Sequence, residues 1–89
     1  MKKDLYIADF YFKTEVFDSA RLRYLDILEK FQDSLSRDYV MTRVVESSFQ
    51  LNEFPECEKY AHQFLEKVSP DFQGKLRGWQ EKCQKQISK

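Results

Sequence analysis

The five residues Ile27-Leu28-Glu29-Lys30-Phe31 recur 37 positions later as Phe64-Leu65-Glu66-Lys67-Val68. Sliding the sequence against itself by 37 residues extends the match towards the N-terminus, where Ile7-Ala8 falls on Val44-Val45. Five positions are then identical, namely Phe12/Phe49, Phe17/Phe54, Leu28/Leu65, Glu29/Glu66 and Lys30/Lys67. Most of the other matched positions share apolar character. A two-helix unit near this length predicts a stack of helical hairpins.

Apolar residues around the repeated stretch return at steps of three and four, which is the spacing of one helix face. In the second segment they are Phe17, Ala20, Tyr24, Ile27, Leu28 and Phe31. Asp18 is expected to cap this helix, and residues 32–34 form a polar break. Pro55 fits the first turn of a fourth helix, where its missing amide proton costs nothing. Ser69-Pro70-Asp71 is a strong signal for the start of a fifth.

The boundaries of the repeats predict one all-α domain over residues 1–89. Repeat one covers about residues 3–33, repeat two about 36–68, and a capping helix about 70–87. That last helix places apolar residues on one face and charges on the other, as the end of a helical stack requires. Gly74 and Gly78 are expected to weaken it, or to let it approach a neighbouring helix closely.

Charge and hydropathy remove several classes of function. Fifteen basic residues balance fifteen acidic ones, whereas proteins that bind nucleic acids usually carry a basic excess. No apolar run approaches the roughly 20 residues needed to span a bilayer. Met1-Lys2-Lys3 leads into mixed sequence rather than into the apolar region of a secretory signal. Composition alone does not decide between a cytosolic protein and a piece of a longer exported protein.

Cys57, Cys83 and the single histidine, His62, lack the spacing of a zinc site. We expect both cysteines to be small buried residues with free thiols, the alternative being a disulfide in an oxidising compartment. No nucleophile lies near a base in the sequence, so neither catalysis nor a metal or other cofactor is expected.

The first repeat resembles the tetratricopeptide (TPR) family. Ile7-Ala8 and then Tyr11 match the family pattern of its first helix, and Ala20 followed by Tyr24 matches that of its second. Small residues let the paired helices approach, and the aromatic rings fill the space beside them. The repeat departs from the pattern in two respects: Gln32 stands in place of the usual proline, and the spacing exceeds the family's ~34 residues. The resemblance implies a TPR-like α-α superhelix of two hairpins and a capping helix.

The order of features resembles one TPR family more closely, the outer-membrane assembly lipoproteins called BamD (YfiO or ComL). Residues 8–13, 17–20, 23–24 and 27–31 resemble its penultimate repeat, and residues 37–38, 45–49 and 56–61 its last. The family's lipid-attachment cysteine is absent, so the resemblance implies a missing N-terminal anchor. It also implies a periplasmic location at the outer membrane, with a cytoplasmic adaptor as the alternative. The implied partner is a POTRA-type periplasmic domain of the barrel-assembly subunit.

The resemblance places Arg23 at the family's basic docking position, although Arg23 could instead belong to a solvated helix face. Other positions lie on the inner face of a TPR stack and are candidates for binding an extended peptide: Asp9, Phe12, Lys13, Glu46 and Phe49. The aromatic members could equally belong to the core. The sequence thus predicts a non-catalytic interaction scaffold of the BamD type, or a stand-alone TPR adaptor that binds a peptide in its groove.

The repeat positions that face a neighbouring helix are expected to be mostly buried. They are Phe17, Ala20, Tyr24, Leu28, Ala61, Leu65 and Trp79.

Overall fold

Five helices make up nearly all of the chain in the computed structural model, which describes residues 2–31 and 36–88. They are α1 (Lys2–Lys13), α2 (Phe17–Lys30), α3 (Arg37–Gln50), α4 (Phe54–Leu65) and α5 (Pro70–Ile87). These described ranges contain no strand, which confirms the all-α class. The predicted polar break at residues 32–34, including Gln32, lies outside them.

The same turn connects α1 to α2 and α3 to α4, offset by 37 residues. Glu15 and Asn52 both adopt left-handed backbone, with φ of 65° and 61°. In each turn the next amide donates back five residues, from Val16 to Tyr11 O at 2.8 Å and from Glu53 to Ser48 O at 3.0 Å. This is the Schellman pattern, in which a left-handed residue ends a helix and satisfies its last carbonyls. The repeat seen in the sequence is therefore repeated in the backbone.

An aromatic pair bridges each of these turns at matching positions. The ring centroids of Phe12 and Phe17 lie 5.3 Å apart, and those of Phe49 and Phe54 lie 5.4 Å apart, both edge to face. Edge-to-face pairs add about 0.5–1.5 kcal/mol beyond the area they bury. The phenylalanines that are identical in the two repeats thus join the helices of each hairpin through the same aromatic contact.

Helix starts agree with the sequence prediction at α4 and α5 and differ at α2. Ser69 is the N-cap of α5 and Pro70 begins it, while Pro55 lies in the first turn of α4. The prediction that Asp18 caps α2 is wrong, because Val16 holds the N-cap position and Asp18 lies within the first turn. There its Oδ1 accepts a hydrogen bond from the Ser19 amide at 2.8 Å. The Schellman turn leads the chain directly into α2, so the helix begins earlier than the capping rule predicts.

The core runs through all five helices and contains the small residues of the repeat. Four of the seven predicted positions are buried: Ala20, Tyr24, Leu28 and Ala61. Phe17, Leu65 and Trp79 are half-buried instead. Leu65 and Trp79 pack against the edge of the core, and Phe17 packs against the Phe12 ring. Fully or nearly fully buried apolar side chains of other positions include Ala8, Ile27, Val40, Met41, Val44, Val45 and Leu76.

The second hairpin packs against the first through α3 and α2. Nη1 of Arg21 on α2 lies 3.1 Å from Ser48 Oγ and 2.8 Å from Glu53 Oε1. Nη1 of Arg37 donates to the carbonyls of Leu28 and Phe31 at 2.8 and 3.0 Å, which satisfies the C-terminal end of α2. Polar contacts therefore border the apolar contact between the hairpins.

The fifth helix packs on α4 and α3, and a disulfide joins it to α4. Cys57 and Cys83 are both fully buried, as predicted, but their thiols are not free. Their Cα atoms lie 6.0 Å apart, within the usual range for a disulfide. Each cysteine belongs to the apolar stripe of its own helix, and the packing of α5 on α4 brings the two stripes together. A Cβ at Gly74 or Gly78 would meet no atom within 4 Å, so neither glycine serves a close helix approach.

No helix in residues 2–31 and 36–88 is both long enough and apolar enough to cross a membrane.

Candidate protein-binding surfaces

A groove between α1 and α3 collects most of the inner-face residues predicted from the sequence. Asp9, Phe12 and Lys13 line it from α1, and Tyr39 and Arg43 line it from α3. Glu46 lies at its side and contacts Arg43, so four of the five predicted inner-face residues meet here. Phe49 does not, because its ring packs between those of Phe54 and Trp79 near α5. We call the first set the α1–α3 groove.

Arg43 is the centre of this groove, and sequence reasoning missed it. Its guanidinium carbon lies 4.0 Å from the centroid of the Phe12 ring and 5.2 Å from that of Tyr39. Its Nε donates to the Tyr39 hydroxyl at 3.1 Å, and its Nη1 lies 3.2 Å from Glu46 Oε2. A cation held between two rings and a carboxylate is fixed in orientation. The i, i+3 spacing of Arg43 and Glu46 is the one signal in the sequence that could have identified it.

A hydrogen-bond chain runs from Arg43 into the core through the two tyrosines. The Tyr39 hydroxyl donates to Asp9 Oδ1 at 2.8 Å, and the Tyr24 hydroxyl donates to the same oxygen. Burial and the bond to Asp9 raise the pKa of Tyr24 well above its usual range, and the same causes raise that of Tyr39. Burial also raises the pKa of Glu46, against the opposing effect of Arg43, Lys75 and Lys82. The network therefore ties α1, α2 and α3 together at the base of the groove.

Alkaline pH is expected to destabilise the domain through these tyrosines. Their pKa values are raised in the folded state above the unfolded value of about 10. The stability they contribute is therefore complete below about pH 10 and is lost as pH rises, by up to about 1.4 kcal/mol per pH unit for each group. Urea unfolding at pH 8, 10 and 11 measures this slope. Tyr24→Phe should flatten it, and an unchanged slope in that variant would contradict the assignment to Tyr24.

Arg23 lies on the opposite side of α2 from Arg21 and is exposed. It borders a shallow groove between α1 and α2 with four residues of α1: Tyr6, Ile7, Phe10 and Tyr11. Tyr6 is 73% exposed and Phe10 is 55% exposed. Within residues 2–31 and 36–88 no hydrogen bond or salt bridge engages the Arg23 guanidinium. We call these five residues the Tyr6–Arg23 surface.

The part of the chain that the structure describes holds no group of three or more His, Cys, Asp or Glu residues placed to bind a metal ion. Both grooves are open to solvent.

Comparison of the chain with known protein families, curated protein sequences and solved structures finds no match.

Proposed function

We propose that this chain is a non-catalytic scaffold that binds another protein. The observation that carries the proposal is the Tyr6–Arg23 surface, where two exposed aromatic rings border an arginine that forms no hydrogen bond or salt bridge with the residues the structure describes. Aromatic residues and arginine are the residue types that most often dominate the energy of protein interfaces. Large aromatic side chains left in water beside an arginine are characteristic of a surface that is covered in a complex.

The scaffold we propose is a TPR-like superhelix. The duplicated Schellman turns at Glu15 and Asn52 support this, because a helical solenoid is built from one hairpin geometry repeated. The stacking of α3 on α2 and of α5 on α4 supports it as well, since each hairpin then contacts its immediate neighbours.

Within that class, we propose a C-terminal module of an outer-membrane assembly lipoprotein of the BamD type, located in the periplasm. The exposure of Arg23 supports this, because it matches the basic docking position that the family resemblance implies. The buried disulfide supports an oxidising compartment, since disulfides persist there and are rare in the cytosol. The proposed partner is a POTRA-type periplasmic domain of a barrel-assembly subunit.

The test is a titration of that periplasmic domain with the wild-type chain and with Arg23→Glu. Reversing a charge at an interface can cost several kcal/mol through like-charge contact, so we expect the dissociation constant to rise at least about tenfold. Arg77→Glu is the matched control, because it makes the same change at another exposed arginine, on α5. Circular dichroism checks that all three proteins are folded.

Equal affinities of wild-type and Arg23→Glu proteins would remove Arg23 from the interface. A wild-type chain that fails to bind the domain would reject the barrel-assembly partner. The peptide-binding adaptor is then favoured by a specific observation: the α1–α3 groove is open and lined by aromatic rings beside Lys13 and Arg43. Aromatic-lined grooves are one of the recurring modes by which proteins bind extended peptides.

A further inference from the structure

The 37-residue repeat identifies the residues of the second hairpin that are equivalent to the Tyr6–Arg23 surface, and the structure shows which helix covers them. Adding 37 to its five members gives Arg43, Val44, Ser47, Ser48 and Tyr60. These residues lie on the second hairpin, where it packs against the first. The open surface on the first hairpin is therefore equivalent to the surface by which the second hairpin stacks.

Contacts at the counterpart surface are close. Val44, Ser47 and Ser48 are fully buried. Ser48 Oγ accepts a hydrogen bond from Arg21 of α2 at 3.1 Å, and Tyr60 lines a groove with Arg21 and Leu22. Helix α2 therefore covers Val44, Ser47 and Ser48, whereas Arg43 lies at the edge of this contact, over the Phe12 ring of α1. On the first hairpin, no helix of the described ranges covers the equivalent positions, and Tyr6 and Phe10 lie largely in water.

The charges at the two surfaces indicate which kind of helix can cover the open one. In the internal stack, Arg21 belongs to the covering helix α2 and pairs with Glu53 at 2.8 Å on the covered hairpin. At the open surface the arginine, Arg23, belongs to the covered hairpin instead. The position equivalent to Glu53 is Val16, which is 39% exposed and carries no charge. A helix that covers this surface must therefore supply the carboxylate itself.

We propose that the Tyr6–Arg23 surface binds an amphipathic helix of a partner protein, lying against α1 as α2 lies against α3. The helix packs an apolar stripe over Tyr6 and Phe10 and places an Asp or Glu against Arg23. This inference deepens the proposed interaction role and rests on it, since it names the structural class of the bound element. Apolar residues spaced at i, i+3 and i+4 with one acid at the edge describe that element.

The probe is a peptide with the sequence of residues 16–31, because α2 covers the equivalent surface inside the chain. A hydrocarbon staple replaces its exposed Asp26–Lys30 ion pair and holds the helix. Two versions are compared, one with Arg21 retained and one with Arg21→Glu. In the docked arrangement position 21 lies beside Arg23, as Arg21 lies beside Tyr60. The full chain carries the isotope label, and amide shifts locate the bound peptide.

We expect the wild-type chain to bind the Arg21→Glu peptide at least about tenfold more tightly than the Arg21 peptide. The Arg23→Glu chain should reverse that preference, while Arg77→Glu should leave it unchanged. Amide shifts should centre on residues 6–11 and 23. A scrambled stapled peptide controls for nonspecific apolar contact.

Several results overturn the inference. The first is the absence of saturable binding by either peptide. The second is a set of amide shifts centred on α5 or on the α1–α3 groove. The third is a preference for the Arg21→Glu peptide that the Arg23→Glu chain retains. If the chain alone dimerises and Phe10→Asp abolishes the dimer, the surface binds a second copy instead.

The POTRA-type domain is titrated in parallel to separate the two proposals. Binding of the helix without the domain rejects the proposed partner, and binding of the domain without the helix rejects this inference.

Discussion

Reduction of the Cys57–Cys83 disulfide is expected to lower the free energy of unfolding by about 3.5 kcal/mol, the loop-closure entropy for a separation of 26 residues. The bridge ties α5 to α4, so without it the unfolded chain gains the freedom to separate these segments. A single domain is stable by only about 5–15 kcal/mol in total. Loss of the bridge therefore removes a large share of the stability of this small protein.

The measurement is urea unfolding of the oxidised and the reduced chain, which contain the same side chains. A Cys57→Ala/Cys83→Ala double variant serves as a second comparison that reductant cannot affect. Thiol titration of the oxidised, denatured monomer should count no free thiols. Two free thiols would contradict the bridge, and equal stability of the oxidised and reduced chains would contradict its role in fixing α5.

Local signals explain which parts of the fold could be predicted from the sequence. Ser69-Pro70-Asp71 predicts the start of α5 because a cap acceptor and an N1 proline act within one turn. The start of α2 could not be predicted in this way. It depends on Glu15 adopting a left-handed backbone, a conformation that the sequence signals poorly without a glycine.

The features that could not be predicted from the sequence depend on contacts between different helices. The disulfide and the position of Arg43 both depend on side chains from different helices meeting, and the pattern along one helix does not contain that information. The exposure of Arg23 can be predicted from the sequence, because it depends only on the angle around α2 between Arg23 and the Ala20–Tyr24–Ile27 stripe. Its neighbours Tyr6 and Phe10 were not predicted as part of a surface, since they come from α1.

Truncation of Tyr24 to alanine is expected to cost about 3–5 kcal/mol, in the range for removing a buried aromatic ring. Tyr24 is fully buried, and its ring contacts those of Phe12 and Tyr39 edge to face, at centroid distances of 6.4 and 6.5 Å. Its hydroxyl donates to Asp9. One side chain thus joins α1, α2 and α3, and its loss opens a cavity where the two hairpins meet.

Two further variants separate the ring from the hydroxyl and from surface effects. Tyr24→Phe keeps the ring and removes one donor to Asp9, so about 1–3 kcal/mol should be lost. Tyr6→Ala removes a tyrosine that is 73% exposed and should change stability by no more than about 0.5 kcal/mol. Urea unfolding of the three variants measures how much free energy of unfolding each one loses. If Tyr24→Phe cost as much as Tyr24→Ala, the hydrogen bond to Asp9 rather than ring packing would hold the hairpins together. A loss with Tyr6→Ala as large as that with Tyr24→Ala would contradict the exposed position on which the docking proposal rests.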